Sequence, residues 1–150
     1  MNMDAAGLEV LDRTACLRLL STTQRGRIAI NVGALPRILP VHFVLDVERI
    51  VVCVGADSVL AKATKDAVVA FEADGCAEDD PGSGLGHEWS VSLIGVARHA
   101  AAPDELSYLE SLGLRLWSEG SPHRFVTIST EHVAGRRTTS PVRTPAAPAR

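Results

Sequence analysis

Ile38-Leu-Pro-Val-His-Phe-Val-Leu-Asp46, followed one residue later by Glu48-Arg-Ile-Val-Val-Cys-Val54, is the stretch that decides the fold. Both runs are rich in β-branched residues, and a third such run, over residues 27–32, precedes them. Runs of this kind separated by short turn segments predict an antiparallel β meander. Pro40 lacks a backbone N–H, so we expect its strand to be an edge strand or to be bulged there.

The rest of the chain adds three predicted strands and three predicted helices. The strands cover residues 67–73, 88–98 and 125–129, and residues 76–86 are predicted to form a loop. The helices cover residues 8–20 and 57–65 and a segment that begins at Pro103 and runs toward Trp117. Asp57 or Ser58 can cap the second helix. Because the strands do not alternate regularly with helices, the order predicts an α+β fold that is mainly β, not a Rossmann-type sheet.

Composition limits the possible partners and location of the chain. A length of 150 residues with 46% hydrophobic residues suits one domain with one core. The formal net charge of −3 gives no electrostatic reason to expect a nucleic acid or an anionic membrane as partner. The N-terminus lacks the basic flank and apolar run of a secretory signal, and no apolar stretch approaches the roughly 20 residues of a membrane span. We therefore expect a cytoplasmic protein.

The cysteines and histidines do not suggest a metal site. Three widely spaced cysteines and five unpaired histidines lack the spacing of metal ligands, so no metal is expected. No side chain identifies itself as a catalytic acid, base or nucleophile.

Residues 138–150 are rich in Pro and Ala and predict a disordered tail after a domain that covers residues 1–137.

Four phrases resemble one known family. They are Arg37-Ile-Leu-Pro-Val-His-Phe-Val-Leu-Asp46, Ala67-Val-Val-Ala-Phe-Glu-Ala-Asp74, Glu88-Trp-Ser-Val-Ser-Leu-Ile-Gly-Val-Ala97 and His132-Val-Ala-Gly-Arg136. In this order they resemble the split-barrel family of pyridoxamine 5′-phosphate oxidase, in its small flavin-nucleotide-binding branch. The resemblance covers about residues 14–137.

The resemblance implies a six-stranded antiparallel split β-barrel with flanking helices. It also implies a homodimer that holds FMN, or a related flavin or deazaflavin, in a groove between subunits. A barrel of about six strands is filled by its own side chains, so a ligand has to lie outside it or between protomers.

The family pattern assigns roles to residues of the second long strand. Arg37 matches an arginine that contacts the flavin nucleotide, and a guanidinium suits a phosphate. Leu39, Pro40 and Val41 match positions that lie along the isoalloxazine ring. The alternatives are a solvated charge for Arg37 and ordinary strand packing for the other three residues.

The short helix after the meander matches the phosphate-binding region of the family, through Ser58, Val59, Leu60 and Lys62. Relatives place a lysine or arginine one or two residues into this helix, where Val59 stands in this chain. The nearest base is Lys62, one helical turn later on the same face. If Lys62 does not replace the missing base, the phosphate contact is weakened or lost.

Trp89 and Ser90 match a strand that reaches the flavin of the partner subunit. An indole can stack on a flat ring. The alternative is a tryptophan of the core or of the dimer interface.

Two functions follow from these assignments. The first is an FMN-binding, oxidoreductase-like protein in which the cofactor performs the chemistry. The second is a non-catalytic dimer that has lost the flavin phosphate contact and serves a structural role or senses a ligand, haem or stress. The vitamin B6 enzyme itself fits less well, because the chain is short and its basic substrate-binding ending is not evident unless Arg136 and Arg137 supply it.

Overall fold

The computed structural model of the protein describes residues 1–116 and 122–145. The described residues form three helices, α1 Arg13–Leu20, α2 Val59–Ala63 and α3 Pro103–Ser111. They also form nine strands: β1 Glu9–Leu11, β2 Arg25–Val32, β3 Leu35–Asp46, β4 Arg49–Gly55, β5 Ala67–Glu78, β6 Leu85–His99, β7 His123–Ser129, β8 His132–Arg137 and β9 Val142–Arg143.

Six of the strands form a closed ring of pairings. The order runs from β6 through β5, β2, β3 and β4 to β7, and β7 pairs again with β6. All the pairings in this ring are antiparallel. The six ring strands are those that the sequence predicts, so the mainly-β antiparallel prediction is confirmed. The count of six needs correction, because the described residues also form β1, β8 and β9.

Alternate residues of the ring strands fill its interior, as the two-residue period of a strand requires. The main cluster includes Ile28 and Ile30 from β2, Phe43 from β3, and Phe71 from β5. The Phe43 and Phe71 rings meet edge to face with centroids 4.8 Å apart. A smaller cluster outside the ring joins β4 to α3 through Val51, Cys53, Leu109 and Phe125. Strand β4 is therefore buried on both faces.

The helix predicted over residues 8–20 begins later than expected. The Asp12 carboxylate accepts a hydrogen bond of 2.8 Å from the backbone N–H of Ala15, which caps α1 and starts it at Arg13. The three residues before the cap form β1 and pair with Gly135–Arg137 of β8. The prediction was wrong for residues 9–11, since their partners lie more than 120 positions away in the sequence.

The loop predicted over residues 76–86 is also shorter than expected. Strands β5 and β6 form a long hairpin whose pairing runs to Glu78 and Gly86. Beyond β8, residues 138–145 continue along β6, where Val142 pairs with Gly86 and Arg143 with Leu85. The expected disordered tail is therefore corrected for residues 138–145, whose backbone groups find partners on the hairpin. Residues 146–150 of the predicted tail lie outside the described residues, as does Trp117, toward which the third predicted helix runs.

Pro40 lies at an edge, as predicted. Residues Leu35–His42 of β3 pair with β2, whereas the pairing of β3 with β4 covers only Phe43–Asp46. Pro40 therefore has no ladder partner on its β4 side, where a missing N–H costs nothing. Strands β3 and β4 separate at this point, and α2 follows directly after β4. No helix among residues 1–116 and 122–145 has the length and apolar character needed to span a membrane.

Candidate functional site

The separation of β3 and β4 opens a cavity of about 340 Å³, which we call the split cavity. Its walls come from the edge portion of β3, the end of β4, the start of α2 and one residue after α3. The lining residues are Arg37, Leu39, Pro40, Val41, Cys53, Val54, Gly55, Ser58, Val59, Leu60 and Leu116. Seven of the ten site residues predicted from the sequence therefore line one cavity: Arg37, Leu39, Pro40, Val41, Ser58, Val59 and Leu60.

The split cavity combines apolar walls with a single unpaired charge. The Arg37 side chain is exposed, and its guanidinium makes no hydrogen bond or ion pair with another described residue. Most of the other lining side chains are aliphatic, including Leu39, Val59 and Leu116. A cation free of any internal carboxylate remains available to an anionic ligand group. The cavity therefore suits a flat apolar ligand with one negatively charged arm.

Helix α2 contributes its first residues to the wall. The Ser58 hydroxyl donates to the Gly55 carbonyl at 2.7 Å and accepts from the Ala61 N–H at 3.1 Å, so it is occupied as the helix cap. Val59 presents an apolar side chain, 39% exposed, where a base was expected from the family pattern. Lys62 is exposed and does not line the cavity. Within the described lining, Arg37 is thus the only basic side chain.

Cys53 is a lining residue that the sequence reasoning missed. Its thiol is 8% exposed, and burial, with a smaller contribution from the charge of Glu110, raises its pKa to about 11. The thiol therefore stays protonated at neutral pH and serves as an apolar wall, not as a nucleophile. Val52 and Val54 lie on one face of β4 in the main cluster, and Cys53 lies on the other face in the smaller cluster. This division of the strand is evident only from the structure.

Trp89 and Ser90 line a different cavity, of about 630 Å³, which we call the strap cavity. Its walls are Leu8, Asp74, Gly75, Cys76, Glu88, Trp89, Ser90, Arg136, Arg137, Thr138, Thr144 and Pro145. The Trp89 indole is 5% exposed and belongs to the main core cluster. A Cβ at Gly75 would lie only 3.0 Å from the indole, so the glycine makes room for it. In the single chain Trp89 is a core residue.

The outer face of the ring carries an exposed apolar area. Ile38 aligns with Ala29, Ala29 with Ala70, and Ala70 with Ile94 across four neighbouring strands. The exposed members of this area, which we call the outer apolar face, are Ile38, Val68, Ile94 and Val96. Ser90 is exposed and lies on the same face as Ile94, because residues four apart in a strand point the same way.

No three His, Cys, Asp or Glu side chains are placed to hold a metal ion within residues 1–116 and 122–145. The split cavity and the strap cavity differ in whether their arginines are paired with carboxylates. The split cavity offers one free cation among aliphatic side chains. The strap cavity places Arg136 2.7 Å from Asp4 and Arg137 2.7 Å from Glu9, so its two arginines are neutralised.

Comparison with known proteins places this fold and these residues in context. The sequence profile of pyridoxamine 5′-phosphate oxidase matches residues 12–145. The chain belongs to this family. The matched region begins at the cap of α1 and ends at the last described residue, so it includes the whole split cavity and all of the strap cavity lining except Leu8.

Individual relatives of the family agree with this membership. An uncharacterized protein of Mycobacterium tuberculosis is 35% identical over 140 residues, which cover 90% of this chain and 88% of the relative. The structure of an FAD-binding protein from Mycobacterium smegmatis is 28% identical, with a TM-score of 0.68, and covers 86% of this chain and 97% of its own. A conserved protein of unknown function from Corynebacterium diphtheriae is 28% identical, with a TM-score of 0.70, and covers 88% and 98%.

Proposed function

We propose that the chain binds a flavin in the split cavity, with the ring against the aliphatic wall and the phosphate at Arg37. The observation that carries this proposal is the convergence of seven predicted residues on one cavity with one free cation. The ring of pairings would then be the split barrel of the family, open where β3 and β4 separate. A cavity of about 340 Å³ lies within the range of small-molecule sites.

The residues present fit such a group. Leu39, Pro40 and Val41 offer the apolar surface that a flat ring needs, and Arg37 offers two or more donors to a phosphate. A bound flavin would supply electron or hydride transfer, and the protein would position it. FMN is the form we propose, and FAD, which the M. smegmatis relative binds, and a deazaflavin are the forms to compare with it.

We further propose that the protein is a homodimer through the outer apolar face. Large exposed side chains on β3, β5 and β6, with Ala29 of β2 between them, form a continuous area, which is unusual for a surface that faces only water. A second copy seated there would bury this area and bring Ser90 of one protomer close to its partner. The split cavity would then be completed by two chains.

Titration with FMN and with riboflavin tests the flavin proposal, since the two differ only in the phosphate. We expect quenching of flavin fluorescence by the wild-type protein. Arg37→Ala should weaken FMN binding about 10- to 100-fold, as for a lost hydrogen bond to a charged group, and should change riboflavin binding little. Arg18→Ala, which removes an exposed arginine of α1, is the matched control and should bind FMN as the wild type does. No quenching at tens of micromolar FMN, FAD or deazaflavin would exclude the proposal.

Sedimentation or light scattering tests the dimer. Ile94→Asp places a charge within the outer apolar face and should convert the dimer to a monomer. Val47→Asp is the control, because Val47 is also an exposed aliphatic residue but lies at the β3–β4 turn, outside this face. A monomeric wild-type protein would contradict the dimer without affecting the flavin titration.

The second function, a dimer without flavin, is favoured by one observation. Val59 places an aliphatic side chain at the cavity wall where the family resemblance led us to expect a base, and Lys62 does not line the cavity. Val59→Lys distinguishes the two functions. A gain of about tenfold or more in FMN affinity shows an otherwise intact site, whereas no binding by either protein supports the dimer that has lost its flavin.

A further inference from the structure

The C-terminal segment, residues 138–145, lies along β6 as a strap over the strap cavity. The Thr138 N–H donates to the Glu88 carbonyl at 2.9 Å, and the Glu88 N–H donates to the Thr138 hydroxyl at 3.1 Å. Further along, the Thr144 N–H donates to the Gly84 carbonyl at 2.9 Å. Thr138, Thr144 and Pro145 form one wall of the cavity, opposite Trp89 and its neighbours. The position of this segment therefore shapes the cavity.

His87 of β6 joins the segment to the tip of the β5–β6 hairpin. Its Nδ1 lies 2.7 Å from the Thr138 carbonyl oxygen, and its Nε2 lies 2.9 Å from Oδ2 of Asp79. Both partners are acceptors, so both ring nitrogens have to carry a proton. Only the imidazolium form satisfies this arrangement. A neutral ring keeps one N–H and turns a lone pair toward the other acceptor, whichever tautomer it adopts.

We propose that His87 is a pH-dependent latch that holds the C-terminal segment over the strap cavity while its ring is protonated and loosens it when the ring is neutral. The ring is mostly covered, with 16% of its side chain exposed, so water replaces the lost bond poorly. Histidine is the side chain type whose charge ordinarily changes near neutral pH, so pH is the variable that tests this latch. This proposal does not depend on flavin binding.

The charged groups around His87 come from the hairpin tip and from strands β6, β8 and β9. Ala77 of β5 pairs with His87, so the nearest charges are Asp79 and Glu78 at the hairpin tip, Glu88 on β6, Arg137 on β8 and Arg143 on β9. The charged groups at the hairpin tip are thus carboxylates, and the two arginines lie on neighbouring strands.

Glu78 sets the acid limit of the latch. The N–H of Gly82 and then the hydroxyl of Thr144 donate to its carboxylate and lower its pKa below the usual value. Of these two bonds only the one from Thr144 reaches the segment; it stabilises the closed segment fully above the normal glutamate range and is lost as the pH falls through this lowered pKa. The segment should therefore be most firmly held while the Glu78 carboxylate is ionised and the His87 ring is protonated.

NMR of the full chain tests the proposal at pH 6.0 and pH 8.5. Relaxation of the ¹³C-labelled methyl groups of Val142 reports the order of the segment without the exchange problem of amides. Ring ¹⁵N shifts of His87 report whether both nitrogens carry protons. We expect an ordered Val142 with a doubly protonated ring at pH 6.0, and at pH 8.5 a neutral ring with at least a twofold gain in methyl mobility.

Asp79→Asn is the decisive variant. An asparagine amide can donate to the bare Nε2 of a neutral ring while Nδ1–H still donates to Thr138, so the latch no longer needs the second proton. We expect Asp79→Asn to hold the segment equally at both pH values. His132→Gln, which removes an exposed histidine of β8, is the control and should behave as the wild type. The proposal is overturned if Val142 of the wild type is equally ordered at both pH values, or if Asp79→Asn loosens as the wild type does.

Discussion

Val47 occupies the first position of the two-residue turn between β3 and β4 with φ of 56°. A β-branched residue is strained in this left-handed region, and its side chain, 84% exposed, gains little from packing. Val47→Gly should therefore raise the free energy of unfolding by about 1 kcal/mol, measured by urea denaturation. Val47→Ala keeps a Cβ and should gain less than the glycine variant. An equal gain for both variants would show that the strain comes from branching alone.

Burial of the Cys53 thiol makes the stability of the protein depend on pH. Because the folded chain raises its pKa to about 11, the thiol loses its proton more easily in the unfolded chain. Its contribution to stability is therefore complete below about pH 8.5 and is lost as the pH rises toward 11. As the pH rises between these two values, the free energy of unfolding of Cys53→Ala should therefore fall by roughly 2 kcal/mol less than that of the wild type, measured by urea denaturation. Parallel stability curves for the two proteins would contradict this expectation.

Seven of the residues that the family resemblance assigned to a flavin site lie together in the split cavity, and their role in flavin binding stays a prediction. Arg37 and Leu39–Val41 could be predicted because Pro40 marks an edge strand and the surrounding phrase is characteristic. Trp89 was harder, since an indole serves a core and a binding site equally well. Only its approach to Gly75 across the hairpin shows that it fills the core of the single chain.

Helix α3 is tied to the β3–β4 hairpin by a buried polar group. The Tyr108 hydroxyl donates to Oδ1 of Asp46 at 2.5 Å, and Arg49 Nε donates to Oδ2 at 3.0 Å. Tyr108→Phe leaves a largely buried carboxylate oxygen without its donor and should cost about 1.5 kcal/mol in the free energy of unfolding. Thermal or urea unfolding measures this loss.

A matched substitution on the same helix separates this bond from surface electrostatics. Glu105 accepts from Arg49 at 2.9 Å, but both side chains are about one-third exposed. Glu105→Gln should therefore cost about 0.5 kcal/mol or less. A larger loss for Glu105→Gln than for Tyr108→Phe would show that the exposed pair, not the buried carboxylate, holds α3.

Element boundaries were predictable where the signals were local. The Ser58 cap of α2 and the Pro103 start of α3 are written in adjacent residues. Strands β1, β8 and β9 depend on partners far away in the chain, and β8 has few β-branched residues to announce it. The hairpin tip contains glycine and acidic residues that favour a loop, and only pairing with β6 extends β5 through them.

The closure of the ring rests on a close approach of β6 and β7. A Cβ at Gly95 would lie 2.1 Å from the backbone oxygen of Ser129, a distance that only backbone movement can relieve. Gly95→Ala should therefore open the β6–β7 pairing and cost about 3 kcal/mol in the free energy of unfolding. Denaturant unfolding, with circular dichroism to confirm retained strand structure, measures this loss.

Gly55 of β4 provides the control for Gly95. The atom nearest to a Cβ there is Cβ of Ser58 at 3.7 Å, an ordinary contact. Gly55→Ala should change the free energy of unfolding by no more than about 0.5 kcal/mol. A similar loss at both positions would mean that strand glycines matter for a general reason and not for ring closure.

At the scale of the whole molecule, the order of the six ring strands was predictable in part. Neighbouring strands β2, β3 and β4 follow one another in the sequence, as do β5 and β6. The pairings of β2 with β5, β4 with β7 and β6 with β7 join distant segments, and no local pattern encodes them. The resemblance to a known family supplied the expectation of a six-stranded barrel, but not these individual pairings.

Strand β4 contributes Ile50, Val52 and Val54 to the main core and Val51 and Cys53 to the cluster under α3. Neither cluster can lose this strand without exposing the other to water. The two apolar regions therefore share one cooperative unit, and their amides should exchange with solvent through the same opening event. A protein with two separate cores behaves in this arrangement as if it had one.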